Sequence, residues 1–260
     1  MINKDPVKEI VDTPRPVVAL SKDFPDGHTI PFHRHWRAQL LYASSGVMTV
    51  TTQTGIWVVP PFRGVWIPEN TNHQIYCSGQ LLMRTLYFDP DIISDMENRC
   101  MVVSIPPLLR ELILEFAKLP LLYELGGKHE RLVSVLLDRI QLLKVDPLDL
   151  PIPRDSRLLN IFEHLKENPA DNRSMDEWSR ESGMTSRTLS RLFSRETGMS
   201  FRQWKQQIRI LEALRQLGQN VAVTTVALNL GYDSPSAFIA MFKKALGKTP
   251  GQYFNLKTDN

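Results

Sequence analysis

The sequence predicts a two-domain protein, with an N-terminal all-β barrel followed by helices and a C-terminal all-α domain. We expect the second domain to contain two helix-turn-helix motifs joined by a linker helix. Three observations support this fold class: the apolar period changes after Pro107, prolines cluster between the halves, and basic charge is concentrated C-terminally. The expected ranges are 1–145 for the first domain, 146–156 for a linker and 157–260 for the second domain. The 260 residues are 42% hydrophobic and 23% charged, as in an ordinary globular protein.

Short apolar segments predict the barrel. Between Phe32 and Phe88, segments such as VMTVTT, IWVVP and GVWIP are rich in β-branched and aromatic residues and are separated by glycine, proline and asparagine. This pattern is typical of strands at close spacing, as in a small barrel or sandwich. After Pro107, leucine, isoleucine and valine recur every three or four residues, which predicts two amphipathic helices.

These two helices allow two interpretations. They carry more apolar surface than one barrel needs to bury, which favours a dimerisation surface and a homodimer. Alternatively, they only cap the barrel. The residues in question are Leu108, Leu112, Glu115 and Leu119 on the first helix and Leu132, Leu136 and Arg139 on the second.

The predicted linker and the charge separate the two halves. Residues 146–156 read DPLDLPIPRDS, whose three prolines favour a stiff, extended segment. From Pro151 onward the chain has 16 Lys and Arg against 11 Asp and Glu, whereas the first 150 residues have 15 against 17. Seven basic and two acidic residues lie between Arg187 and Arg215. This excess indicates a surface for phosphate, although a solvated helical face is the alternative.

The first helix-turn-helix motif is predicted from Ser174 to Gly198. A capping box starts one short helix, Gly183 ends it, and Thr185 caps a second helix. Leu189, Leu192 and Phe193 form its apolar stripe. The opposite face presents Arg187, Ser190, Arg191 and Ser194. An arginine on such a face can bond guanine O6 and N7 in a major groove. Arg195, at the edge of the stripe, is expected to contact phosphate or to be an ordinary surface residue.

The second motif is predicted from Val223 to Tyr253. Ser234 is its N-cap, Pro235 occupies the first helical position, and Phe238, Met241 and Phe242 form the buried stripe. The outer face then consists of Ser236, Ile239, Ala240 and Lys243. A helix of about 17 residues, roughly 26 Å long, joins the motifs. We expect Arg209 on this helix to contact phosphate, and the two motifs to enter neighbouring major grooves about 34 Å apart.

The last hundred residues resemble the AraC/XylS family of bacterial transcription regulators, through SRTLSRLFSRETGMSFRQW and ALNLGYDSPSAFIAMFKKALGKTPGQY. The resemblance implies base-reading positions at Arg187, Ser190 and Arg191 in the first motif and at Pro235, Ser236, Ile239 and Ala240 in the second. An arginine common in the second motif is here Ala240. Within the family, this C-terminal sequence is most similar to the NimR-type subgroup. That similarity implies control of a neighbouring transporter gene. Double-stranded DNA and RNA polymerase are the implied macromolecular partners.

Histidines in the N-terminal half follow a metal-ligand pattern. Gly27, His33, His35, Gln39 and Gly46 match one half of a motif, and Pro68, Asn70 and His73 match the other. This pattern resembles the cupin barrel, in which the matching ligand positions are His33, His35, Gln39 and His73. A metal-binding cupin usually has glutamate where this chain has Gln39.

Three interpretations of these histidines stay open. They hold a divalent transition metal ion, they bind an organic effector, or they are remnants satisfied by carbonyl groups or water. An effector pocket would be lined by Trp36, Tyr42, Trp57, Trp66 and Phe88. Alternatively, each of these five aromatic residues belongs to the core.

We therefore expect a DNA-binding regulator that responds to a small ligand or metal, and not an enzyme. The alternative is a cupin-type metalloenzyme with a helical appendage. Cys77 and Cys100 are expected to be free thiols. The first thirty residues lack a signal-peptide pattern and no window has 18 uncharged apolar residues, so the expected location is cytoplasmic, without membrane association.

Overall fold

The structure is a computed structural model that describes residues 10–93 and 96–254. The described chain divides into two compact units. The first contains the residues up to Thr52 together with Trp57–Leu148, and the second contains Gln53–Ile56 and the residues from Asp149 onward. The outermost parts of the expected domain ranges, residues 1–9 and 255–260, lie outside the described residues.

Antiparallel strands form the first unit. The strands are β1 (Val17–Phe24), β2 (Thr29–His33), β3 (Ala38–Ala43), β4 (Val47–Thr51), β5 (Gly55–Val59), β6 (Arg63–Ile67), β7 (His73–Ser78), β8 (Leu81–Phe88), β9 (Met101–Ser104) and β10 (Val145–Asp146). One sheet has the order β1-β8-β3-β6-β9-β10 and the other contains β5-β4-β7-β2. The predicted all-β domain is confirmed.

Two helices cover one face of the six-stranded sheet. Helix α1 (Pro107–Phe116) buries Leu109, Ile113 and Phe116, and helix α2 (Lys128–Gln141) buries Val133, Leu136 and Ile140. These side chains share one core with Leu40 and Phe88 of the sheet. Complete burial of such a side chain contributes about 1.5–3 kcal/mol. The inner stripes therefore cap the sheet.

The outer surface of α1 and α2 keeps exposed apolar residues. Leu108 is 54% exposed, Val135 is 43% exposed and Leu142 is 67% exposed. Of the residues expected to form a dimer surface, Leu136 is buried in the core, whereas Leu112 and Leu119 are only partly buried. The capping interpretation thus accounts for the inner faces of the two helices and leaves the outer faces free.

The segment predicted as a linker is extended, and part of it forms strands. Val145 and Asp146 pair with β9. A further strand, β11 (Asp149–Pro151), lies in the second unit, where the amide of Ile152 donates to Thr54 O at 3.1 Å. Extended backbone at a sheet edge can satisfy its hydrogen bonds in this way despite nearby prolines.

Helices form the rest of the second unit, as predicted. They are α3 (Ser156–Glu167), α4 (Met175–Glu181), α5 (Ser186–Thr197), α6 (Phe201–Gly218), α7 (Val223–Asn229), α8 (Pro235–Leu246) and α9 (Pro250–Phe254). Capping boxes at Ser174 and Ser200 start α4 and α6, and Gly198 ends α5 in the left-handed conformation. The pairs α4–α5 and α7–α8 are the two helix-turn-helix motifs.

The long helix α6 provides the core of this unit. Trp204 is fully buried, and its ring lies 5.6 Å from that of Phe162 and 5.0 Å from that of Phe193. Phe238 and Phe242 of α8 are also fully buried. Among the described residues, no helix combines the length and apolar character needed to cross a membrane.

Candidate DNA interface and sensor site

Helix α5 presents a polar, basic face to solvent. Leu189, Leu192 and Phe193 are buried, and the opposite face is exposed. The exposed residues are Arg187, Ser190, Arg191, Ser194 and Arg195. Successive arginines lie four residues apart, so they form one row along the helix.

The angle between α4 and α5 is fixed by hydroxyl contacts at the start of α5. The Thr185 side chain accepts from the amide of Thr188 at 3.2 Å. The hydroxyl of Ser186 donates to the Asp176 carboxylate and lies 3.1 Å from the hydroxyl of Ser179. The N-terminal turn of α5, the part of a recognition helix that meets bases, is therefore held by α4.

Helix α8 presents a different chemistry. Ser236, Ala240 and Lys243 are exposed, and Pro235 and Ile239 are half-buried. Only serine and lysine on this face can donate hydrogen bonds to base edges. Apolar side chains here can instead contact thymine methyl groups.

Arg209 on α6 contacts the loop between α3 and α4. The residue is half-buried. Nε donates to Pro169 O at 2.9 Å and Nη2 donates to Asn172 Oδ1 at 2.7 Å. These contacts lie within the helical unit, and the expected phosphate contact of Arg209 stays a prediction.

That loop contains a polar network to which no sequence pattern points. The Asp171 carboxylate accepts from Arg173 Nε at 2.8 Å and contacts His164 Nε2 at 2.8 Å. The Arg173 guanidinium lies 3.6 Å from the centre of the Trp178 ring. A carboxylate and an arginine two residues apart in a polar loop are too common in sequences to be informative.

Three histidines converge between the two sheets of the first unit. His33 on β2 pairs directly with His73 on β7, and His35 follows β2. Their potential ligand atoms all lie within 4.8 Å of one another. His73 is fully buried, and His33 and His35 are half-buried. The predicted histidine cluster thus comes together in space.

Each imidazole is oriented by a backbone carbonyl. In all three rings Nδ1 donates, which leaves Nε2 as the atom that can bind an ion when the ring is neutral. The acceptors are Pro31 O at 2.9 Å for His33, Arg37 O at 2.6 Å for His35 and Thr71 O at 2.8 Å for His73.

Burial keeps two of these rings neutral. It lowers the pKa of His73 to about 3, and it also lowers the pKa of His35. The Nε2 atom of His73 is buried and has no hydrogen-bond partner among the described residues. Such an unsatisfied acceptor is costly unless something binds it.

Gln39 lies beside the cluster, as the sequence predicts. Its Oε1 is 3.2 Å from His35 Nε2, and its Nε2 donates to Thr85 Oγ1 at 2.9 Å. The side chain is almost completely buried. Tyr87 closes the site from the neighbouring strand, with its ring 5.0 Å from that of His35.

The four aromatic residues expected to line an effector pocket do not share one cavity. Tyr42 and Trp66 belong to the core between the sheet and the helices α1 and α2. Side chains alternate along β3, so Tyr42 points away from the face that carries Gln39. Trp36 is 41% exposed, and Trp57 is buried on β5. The expectation for Tyr42 and Trp66 is therefore corrected.

Two domain families match this chain. A helix-turn-helix domain family matches residues 178–255, and an AraC-like ligand binding domain family matches residues 16–115. The first match begins in α4 and includes α5 and α8. The second includes the three histidines.

Relatives agree over most of the chain. The transcriptional regulator NimR of Escherichia coli is 36% identical over 228 residues, which are 88% of this chain and 83% of NimR. The regulator RipA of Corynebacterium glutamicum is 27% identical over 216 residues, or 83% of this chain and 61% of RipA. A crystal structure of ToxT from Vibrio cholerae aligns over 94% of this chain and 99% of that chain, with a TM-score of 0.39 and 13% identity.

Because the aligned residues are 88% of this chain, the identity to NimR includes residues of both the β unit and the helical unit. The two helix-turn-helix motifs and the ligand-binding domain occur in the same order as predicted. The chain belongs to the AraC/XylS family and is a DNA-binding transcriptional regulator with an N-terminal ligand-binding domain.

Proposed function

We propose that the ligand-binding domain of this regulator holds a divalent transition metal ion between His33, His35 and His73. The observation that carries the proposal is the convergence of three imidazoles whose ligand atoms lie within 4.8 Å of one another, each ring oriented by a carbonyl hydrogen bond on Nδ1. Carbonyl groups that orient histidines from behind are typical of metal ligands.

The residues fit such an ion. The buried Nε2 of His73 lacks a partner, and the ligand atoms within 4.8 Å can reach one ion by small side-chain rotations. Imidazole suits zinc, copper and nickel. An ion held there would supply a positive charge to which an effector with a donor atom can bind. Gln39 would add a weak, neutral oxygen ligand at most.

We also propose that α5 and α8 read two half-sites on one side of a DNA duplex. The exposed arginines of α5 support hydrogen bonding to guanine, and the small and apolar residues of α8 support contacts with thymine. Arg195 and Lys243, which are exposed beside these faces, supply phosphate contacts.

The remaining aspects of function are inferred from this role. The three-histidine site serves sensing and not catalysis, because the relatives are regulators and the cluster contains no carboxylate among the described residues. The outer faces of α1 and α2 support homodimer formation. The resemblance to the NimR-type subgroup implies control of a neighbouring transporter gene, RNA polymerase is a further expected partner, and a regulator that binds DNA acts in the cytoplasm.

Metal binding by purified protein tests the sensor proposal. Calorimetry with zinc, nickel and manganese is expected to show one site per chain. His73→Ala should abolish it, since a buried ligand is lost, and Gln39→Ala should weaken it only slightly. Gln39→Glu should tighten binding, because an anionic oxygen replaces a neutral one.

The exposed His28 provides the matched control, because His28→Ala also removes an imidazole but leaves the cluster intact. His33→Ala, at a half-buried position, serves as a second variant if His73→Ala does not fold. Equally weak binding by the wild type and both cluster variants would contradict the metal proposal and leave an organic effector or a remnant site.

A further inference from the structure

We propose that the loop of residues 168–173, between α3 and α4, is a brace that fixes the two helix-turn-helix motifs relative to each other. Arg209 on α6 is its central positioning residue. The inference rests on the proposed reading of two half-sites, since the brace would set the distance between them.

Arg209 holds the loop through its backbone. The guanidinium donates to Pro169 O at 2.9 Å, to Asn172 Oδ1 at 2.7 Å and to Asp171 O at 3.5 Å. The loop has no regular secondary structure of its own, so these bonds replace the internal pairing of a helix or strand. The planar guanidinium of Arg209, on the joining helix α6, thereby fixes the path of the loop.

The loop is attached to the first motif through Arg173. Its amide and Nε donate to the Asp171 carboxylate at 2.7 and 2.8 Å. Its guanidinium packs on Trp178 and bonds Glu181 at 2.5 Å, both on α4. Although burial alone raises the pKa of Asp171, hydrogen bonds from Arg173 and His164 hold that pKa at about 2. The carboxylate is therefore charged at neutral pH and binds Arg173 tightly.

The same loop contacts the turn of the second motif. Gly231, which ends α7 with φ +72°, lies so close that an added Cβ would be 2.8 Å from Ala170 O. The following residue, Tyr232, has its ring centre 5.5 Å from the Arg209 guanidinium. Backbone of the second motif thus packs directly on the loop that holds the first.

Both motifs therefore contact the same loop of six residues, and Arg209 bonds that loop from α6. Side-chain loss at Arg209 removes contacts to the loop and to Tyr232 together. The exposed arginines of α5 keep their own surroundings, so the base preference within each half-site should not change. The dependence of DNA affinity on the distance between the half-sites should become weaker.

DNA binding to duplexes of altered spacing tests the brace. The starting duplex is the site that full-length wild-type protein selects from a pool of random sequences. For the wild type, adding or removing two base pairs between the half-sites should reduce affinity on the order of tenfold, because one motif loses its contacts. For Arg209→Ala, coupling through the loop is lost and this penalty should fall to about threefold or less. Asn172→Ala should change the penalty in the same direction and is the milder variant if Arg209→Ala does not fold.

Arg202→Ala is the matched control, because Arg202 is an exposed arginine on the same helix. Its spacing penalty should equal that of the wild type. An unchanged penalty in both Arg209→Ala and Asn172→Ala, with affinity reduced equally for every duplex, would overturn the brace and return Arg209 to the role of a phosphate contact. A wild-type protein without any spacing penalty would instead contradict the two-half-site proposal, and the brace with it.

Discussion

The arginine side chains of the helical unit differ in what their donors can bind, because some are exposed and others bond the protein itself. Arg187 and Arg191 are exposed on α5, where their donors can reach a ligand. Arg173 and Arg209 direct their donors inward, to the loop before the first motif. The sequence shows only that basic residues are concentrated in this region. Which of them face solvent depends on tertiary packing around α6.

At the residue scale, the first DNA prediction concerns Arg191. Arg191→Ala should reduce specific binding by about 1–3 kcal/mol and relax the preference at one base pair, because a bidentate contact is lost. Fluorescence anisotropy with duplexes that vary one base pair at a time measures both effects. Arg195→Ala, which changes an arginine that is 70% exposed on the same helix, should weaken binding to all sequences alike. Undiminished specificity in Arg191→Ala would show that another face of α5 contacts the bases.

Among the elements, those with a strong local pattern could be predicted best. Capping boxes at Ser174 and Ser200 and the glycine after α5 mark helix ends in the sequence itself, and the structure confirms them. The sides taken by Tyr42 and Trp66 could not be predicted. Strand periodicity separates two faces but does not say which face meets the helices.

At the histidine cluster, too, the sequence predicts some features and leaves others undetermined. The spacing of His33 and His35 predicts that they approach one another, and the family pattern adds His73. Each orienting carbonyl lies two residues from its histidine, but the spacing of the residues does not show which ring nitrogen faces it. The burial of His73, which leaves its Nε2 without a partner among the described residues, depends on pairing of β7 with β2 and β4, which are distant in the sequence.

At the element scale, the two recognition helices should contribute unequally to specificity. Because Ile239 and Ala240 offer no side-chain hydrogen bonds, substitutions in Ser186–Ser194 should damage specificity more than substitutions in Ser236–Lys243. Base-pair scanning of the selected site measures the discrimination under each motif. Stronger discrimination in the half-site under α8 would reverse this ranking.

A second prediction at this scale concerns the outer face of α1. Leu108→Glu places a charge where an apolar side chain is 54% exposed, so it should weaken a homodimer while the fold persists. Sedimentation over a concentration series measures the dimer dissociation constant. Glu111→Gln, at another exposed position of α1, is the control and should not change it. A dissociation constant that Leu108→Glu leaves unchanged would place the dimer contact elsewhere.

At the scale of the whole molecule, one chain combines a ligand-binding unit with a DNA-binding unit whose two motifs are tied to one loop. The difference in function between the two units follows from their charge and packing. The first 150 residues are slightly acidic and enclose the histidines, whereas the basic excess lies in the helical unit. We expect the two motifs to bind DNA as one rigid body.

Hydroxyl-radical footprinting of the protein on its selected site tests whether the two motifs bind as one rigid body. We expect two protected segments on one side of the duplex, with centres about 10–10.5 base pairs apart, because each recognition helix enters one of two neighbouring major grooves. The segment under α5 should tolerate base changes less than the segment under α8. A single protected segment, or two segments whose separation varies from site to site, would contradict binding by two motifs held at a fixed distance.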